Sequence, residues 1–322
     1  MGPEVKAAIA PESGAPDNRT LSQAQLEEAG RLMRLASLAS VVAALLLIGI
    51  KLYAYIETGS VALLSTLFDS LLDAGASLVN MLAIRQALTP ADAEHRFGHG
   101  KAEPLAGLVQ VAFILGSSIL LLVEVFQHFT TPQQVTHPEV GIVVMVASIA
   151  VTMVLIGYQR YVIRRTQSLA VRADSAHYLS DFLVNVSVIA ALLLSAEFGW
   201  WWIDPLFGLA VALFIAVTAI GIGREAFDML MDREMDDAER EQIKAIVRQH
   251  PEVLNLHELK TRVAGQVRFI QFHLELDGAI SLREAHRISD AVEDDLLAAF
   301  PGAEIIIHQD PHGVAERRRI FA

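Results

Sequence analysis

Polar and apolar positions alternate along this chain in two registers. From about residue 34 to residue 228 the apolar positions gather into six long runs, roughly 34–55, 60–84, 104–129, 140–163, 174–197 and 203–228. Each is long enough to cross a hydrocarbon core of about 30 Å as a helix of about 20 residues. Beyond about residue 235 the pattern shortens. MDDAEREQIKAIVRQH has the acidic start and spacing of an amphipathic helix. VLNLHELKTRVAG and QVRFIQFHLELDG alternate as strands, with a turn at Ala264–Gly265. SLREAHRISDAVEDDLLAAF is a second helix, with Ser281 as N-cap and Glu284 three residues on. AEIIIHQDP is a last strand, stopped by Pro311. The expected fold class is an α-helical membrane protein of six transmembrane helices followed by a small α+β domain in the order α-β-β-α-β. The expected division is a flexible tail over 1–30, a membrane domain over 31–234, an α+β domain over 235–313 and a basic tail over 314–322.

Composition sharpens this picture. Hydrophobic residues make up 53% of the 322 and charged residues 19%, where a soluble domain carries roughly a quarter charged. A net charge of -12 argues against a nucleic-acid partner. No GxxxxGK[ST] stretch is present, so ATP is not expected as an energy source. With no cysteine, any metal must be held by His, Asp or Glu. Arg31, Arg34, Arg85, Arg96, Lys101, Arg160, Arg164, Arg165, Arg172, Arg224 and Arg233 all fall at the first span's start, at the even-numbered connections or after the sixth span. The odd-numbered connections carry no Lys or Arg, which places both termini in the cytoplasm.

The chemistry lies inside the spans. Asp69 and Asp73 are four apart in the second run, and His177 and Asp181 four apart in the fifth, so each pair shares a helix face. Each carboxylate costs about 2.5–3.5 kcal/mol in the bilayer centre. Both pairs fall roughly 13–21 Å from their helix starts, at similar depth. Three carboxylates and an imidazole repel or compete unless a cation joins them, and four such ligands suit tetrahedral Zn²⁺. A polar network that merely pins helices is the competing reading. Asp174, one turn earlier, reads as a wet helix-end residue, and Lys51 and Glu124 as snorkelling at outer span ends. Asp92, His95 and His99 form a second candidate in the second connection, with three ligands and an open position. In the C-terminal domain His257, His273, His286, His308 and Asp310 form a third.

The two intramembrane pairs, the stretch HRFGHGKAEPLAGL, the ending IIIHQDP and the C-terminal α+β domain together resemble the cation diffusion facilitator family, in its bacterial zinc and ferrous-iron efflux branch. The resemblance covers about residues 31–312. It implies a homodimeric divalent-cation/proton antiporter of the cytoplasmic (inner) membrane, carrying Zn²⁺, with Cd²⁺ or Fe²⁺ as alternatives, against H⁺. It also implies a transport site at Asp69, Asp73, His177 and Asp181, a loop site at Asp92, His95 and His99, and a metallochaperone-like domain whose binuclear site forms across the dimer interface. Lys101 and Asp232 would form a charge pair at the hinge between membrane and C-terminal domains. A metal sensor, a metal-gated channel and a membrane metallohydrolase are the rival functions; the hydrolase would need an open metal position and a substrate pocket.

Overall fold

The computed structural model describes residues 18–59, 61–130, 138–198 and 202–314. Six long helices come first: α1 (Asn18–Thr58), α2 (Val61–Ala87), α3 (Ala102–Thr130), α4 (Pro138–Thr166), α5 (Leu169–Phe198) and α6 (Ile203–Leu230). Among the described residues, all but α5 are long and apolar enough to cross a membrane. α5 carries Arg172, Asp174, His177 and Asp181 in its first half. Large apolar side chains such as Leu45, Leu120, Val154 and Val217 stand exposed along the helices, as they do where lipid is the solvent. The transmembrane region is therefore helical, as expected. Its first helix begins earlier than expected: α1 reaches back to Asn18, into the stretch expected to be a flexible tail. At its other end Gly59 adopts a left-handed φ of 62° and its N–H bonds back to Tyr55 O at 2.8 Å, the arrangement that ends helices at glycine.

Small residues let these helices approach closely. α3 and α6 meet through Val111, Ile114, Ile215, Ala219, Ile222 and Ala226, onto which α5 adds Leu169 and Ala173. Ala43 of α1, Leu155 and Ile156 of α4 and Tyr178 of α5 form another buried cluster. α5 is thus wedged between α1, α3, α4 and α6, and its polar first half is held in the protein interior.

The C-terminal domain follows as α7 (Asp237–Val247), β1 (Asn255–Ala264), β2 (Val267–Leu276), α8 (Leu282–Ala299) and β3 (Glu304–Pro311). Asp236 caps α7 by accepting from Glu239 N, and Ser281 caps α8 by accepting from Glu284 N. β1 and β2 pair antiparallel, and β3 joins β2 in parallel, so the sheet is mixed in the order β1-β2-β3. The parallel pair requires a crossover, which α8 supplies. Ile243, Val247, Ile288, Val292 and Leu296 of the helices bury against Ile270, Phe272 and Leu274 of β2. The turn between β1 and β2 runs through Gly265 with φ 61°. It abuts Gly100, where an added Cβ would overlap the Ala264 carbonyl oxygen. The approach is backbone to backbone, and it fixes the loop before α3 against the C-terminal domain.

Candidate metal centre

Between α2 and α5, Asp73, His177 and Asp181 each offer one ligand atom, and these atoms all lie within 4.8 Å of one another. His177 Nε2 stands 3.0 Å from Asp73 Oδ1 and 3.9 Å from Asp181 Oδ2. The imidazole is almost fully enclosed, at 3% exposure, while Asp73 and Asp181 are exposed to 22% and 34%. The ring is thus held by packing, while the two carboxylates are only partly buried. Asp69 differs from the sequence expectation. It lies one turn from Asp73 on α2, is exposed, and stands outside the three-residue group.

Beside it, Lys51 also departs from expectation. Its Nζ does not run outward along the helix but donates to Ser70 Oγ at 2.6 Å and to Thr66 O at 3.2 Å, both on α2. The side chain of Glu124 lies outside the described residues. Asp174 is no wet helix-end residue: it is 1% exposed. It accepts from Ser40 Oγ of α1 and, at 2.8 and 3.3 Å, from Gln159 Nε2 of α4 and Gln110 Nε2 of α3. One turn further along, the Tyr178 hydroxyl reaches Ser40 O at 3.0 Å and Ser77 Oγ at 2.8 Å. These contacts pin the helix that carries His177 to four neighbours, α1, α2, α3 and α4.

The loop before α3 gathers Asp92, His95 and His99. His95 Nδ1 and His99 Nε2 each stand 3.4 Å from an Asp92 oxygen. Asp92 Oδ1 accepts from the backbone N–H of His95 at 2.6 Å and of Glu94 at 2.9 Å. The His95 N–H, chiefly, holds this carboxyl below the usual carboxylate range. His99 Nδ1 lies 3.3 Å from Thr89 O, a contact that suits an Nδ1–H donor and leaves Nε2 free to ligate.

In the C-terminal domain the strand register assembles the third group. His257 faces His273 across β1 and β2, and His273 faces His308 across β2 and β3. Asp310, nearly buried, takes His273 Nδ1 at 2.8 Å, His308 Nε2 at 3.1 Å and His257 Nε2 at 3.4 Å. His286 does not join them within one chain: it is 73% exposed on α8, with Asp290 3.4 Å away. Two carboxylates escaped the sequence reading. Glu275 lies 3.4 Å from His257 Nδ1 and 3.1 Å from His312, and Glu258 lies 3.8 Å from His273 Nε2. Glu275 was readable, being two residues from His273 on the same strand face. Glu258 was not, because it occupies a left-handed conformation, φ 50°, at the irregularity in β1.

At the junction of the two domains Lys101 Nζ meets Asp232 Oδ1 at 2.9 Å, and Arg262, also missed, reaches the same oxygen at 3.2 Å. Partial burial raises the Asp232 pKa, but hydrogen bonds from Lys101 and Arg262 outweigh it, and the carboxyl titrates below its ordinary range. The Arg262 guanidinium also sits 4.3 Å from the Phe269 ring centre and 5.2 Å from that of Phe97.

Two family models match this chain: the cation efflux transmembrane domain over residues 37–231 and the cation efflux protein cytoplasmic domain over 235–312. The chain belongs to the cation efflux family, the cation diffusion facilitators. Relatives in this family include the cation-efflux pump FieF of Shewanella oneidensis, 49% identical over 279 residues, which span 87% of this chain and 94% of the relative. FieF of Shigella flexneri is 46% identical over 288 residues, 89% of this chain and 96% of the relative. Among solved structures, the metal-bound C-terminal domain of the CzcD transporter from Thermotoga maritima is 29% identical, covers 26% of this chain and 100% of that one, and has a TM-score of 0.24. Family membership makes this a multi-pass membrane protein of divalent cation efflux.

Proposed function

We propose that the chain exports Zn²⁺, with Cd²⁺ and Fe²⁺ as further substrates, from the cytoplasm in exchange for protons, as a homodimer in the inner membrane with both termini cytoplasmic. The observation that carries this reading is the convergence of Asp73, His177 and Asp181 between two spans. A dication is the ligand that turns the mutual repulsion of two carboxylates into attraction. Its binding requires deprotonated ligands, so metal and protons compete for the same three side chains. A proton arriving from outside weakens the hold on the metal, and a metal arriving from inside displaces protons. One nitrogen among oxygen donors favours a borderline transition metal over Mg²⁺. Asp69, one turn away on α2, is the fourth ligand of this reading.

The loop and C-terminal groups serve as resident ion sites. The exposed His286, away from the cluster of its own chain, is assigned in this reading to a partner subunit's site. Reconstitution into liposomes with an internal metal-sensitive dye tests the function. Uphill Zn²⁺ movement that follows an imposed pH gradient supports antiport. Downhill flux indifferent to the pH gradient indicates a channel, and absence of flux with retained binding indicates a sensor.

A further inference from the structure

Lys51 stands seven residues before the end of α1, and its ammonium is turned into the protein. Two of its three N–H donors are committed to α2, at Ser70 Oγ and Thr66 O. Ser70 is 1% exposed, so the tether is built into the packing between helices. Ser70 precedes Asp73 by three residues, about one turn along the same face of α2, so the tethered charge lies on the side of α2 that carries this transport carboxylate. Asp73 in turn groups with His177 and Asp181 of α5, so the tethered charge stands near both walls of the site. A lysine inside a span is costly and is kept where it pairs or functions. Here it stands beside the very groups that must take up a dication.

We propose that Lys51 is a tethered cation that competes with the incoming metal ion for the transport carboxylates and so sets how tightly the site holds its cargo. The inference rests on Asp73, His177 and Asp181 being the transport site. With the site empty, the ammonium offsets part of the negative charge of the carboxylates. When a dication enters, like-charge repulsion from Lys51 limits its affinity and speeds its release. A transporter gains from this, since an ion held too tightly is not let go.

The test is Zn²⁺ transport by the full-length protein in liposomes, read as half-saturating concentration and maximal rate. Lys51→Met should lower the half-saturating Zn²⁺ concentration on the order of tenfold, because a nearby unit charge in a medium of intermediate dielectric has at least that effect on a dication. It should also lower the maximal rate. Lys51→Arg, which keeps the charge, should bring the affinity back toward the parent. Ser70→Ala should act in the opposite direction: the untethered ammonium falls onto the carboxylates and the half-saturating concentration rises. A half-saturating concentration unchanged or raised in Lys51→Met overturns the proposal. Where Lys51→Met does not yield a folded dimer, an unchanged Ser70→Ala overturns it instead. Asp73→Ala separates the two levels. If Asp73→Ala transports as the parent does, the site itself is wrong; if it is inactive while Lys51→Met is unchanged, only the role of Lys51 fails.

Discussion

Replacing Asp174 with Ala tests whether the buried polar knot, rather than apolar packing alone, holds α5 in place. The carboxylate accepts from three side chains on three helices. Their fates on its removal differ. Ser40 Oγ already contacts Ala36 O at 3.1 Å and keeps that acceptor. Gln159 Nε2 retains Ser40 Oγ at 3.0 Å. Gln110 is left with no partner among those described for its amide, and a stranded buried donor costs about 1–3 kcal/mol. The two other lost bonds add about 0.5–1.5 kcal/mol each. The relieved cost of burying a carboxyl offsets part of this sum, leaving a net loss of about 2–4 kcal/mol. Asp174→Asn, which keeps the volume and one acceptor oxygen, should lose about half as much. The assay is unfolding of the purified protein in mixed micelles. A double-mutant cycle with Gln110→Ala should return a coupling energy of at least about 1 kcal/mol, since the two groups share one bond. If Asp174→Ala is as stable as the parent, or if the cycle shows simple additivity, the knot does not hold the helix.

Three further outcomes follow. His177→Asp exchanges the single nitrogen donor for oxygen and should shift metal preference from Zn²⁺ toward Mn²⁺ in competition transport; an unchanged ranking counts against His177 as a ligand. His273→Ala with Asp310→Ala should abolish the stabilisation that Zn²⁺ gives the C-terminal domain in thermal unfolding, because an ion there ties β1, β2 and β3 together; an undiminished Zn²⁺ effect would refute that assignment. Asp232 titrates below its ordinary range in the folded protein, so its contribution is present above the unfolded carboxylate pKa of about 4 and fades as pH falls through the lower folded value. Lys101→Ala should therefore cost about 0–1 kcal/mol at pH 7 and nothing in strong acid, measured by unfolding at both pH values.

Legibility in the sequence tracked periodicity. The four-residue spacings put Asp69 with Asp73 on one face of α2 and His177 with Asp181 on one face of α5, of which Asp73, His177 and Asp181 come together, and the two-residue spacing on β3 put His308 and Asp310 on one face. These are properties of one helix or one strand. What stayed hidden depends on contacts between elements. Lys51 of α1 turns onto Ser70 and Thr66 of α2, a contact that no spacing within one helix reports. Asp174 looked like a helix-end residue because its partners, Ser40, Gln110 and Gln159, come from three other helices. Glu258 joins its cluster only through a local irregularity of β1. Arg262 reaches Asp232 across the domain junction. The start of α1 at Asn18 was obscured because polar residues and prolines before it read as tail, although a polar sequence outside the bilayer can continue a helix begun within it.

Whether the cation rides between α2 and α5 is decided by anomalous scattering at the zinc edge from the metal-loaded protein. A zinc peak should lie within about 2.0–2.2 Å of His177 Nε2 and of oxygens from Asp73 and Asp181, and should be lost in Asp73→Ala. Zinc found at the loop and C-terminal groups, with no peak between α2 and α5 in any state that transports, would contradict it.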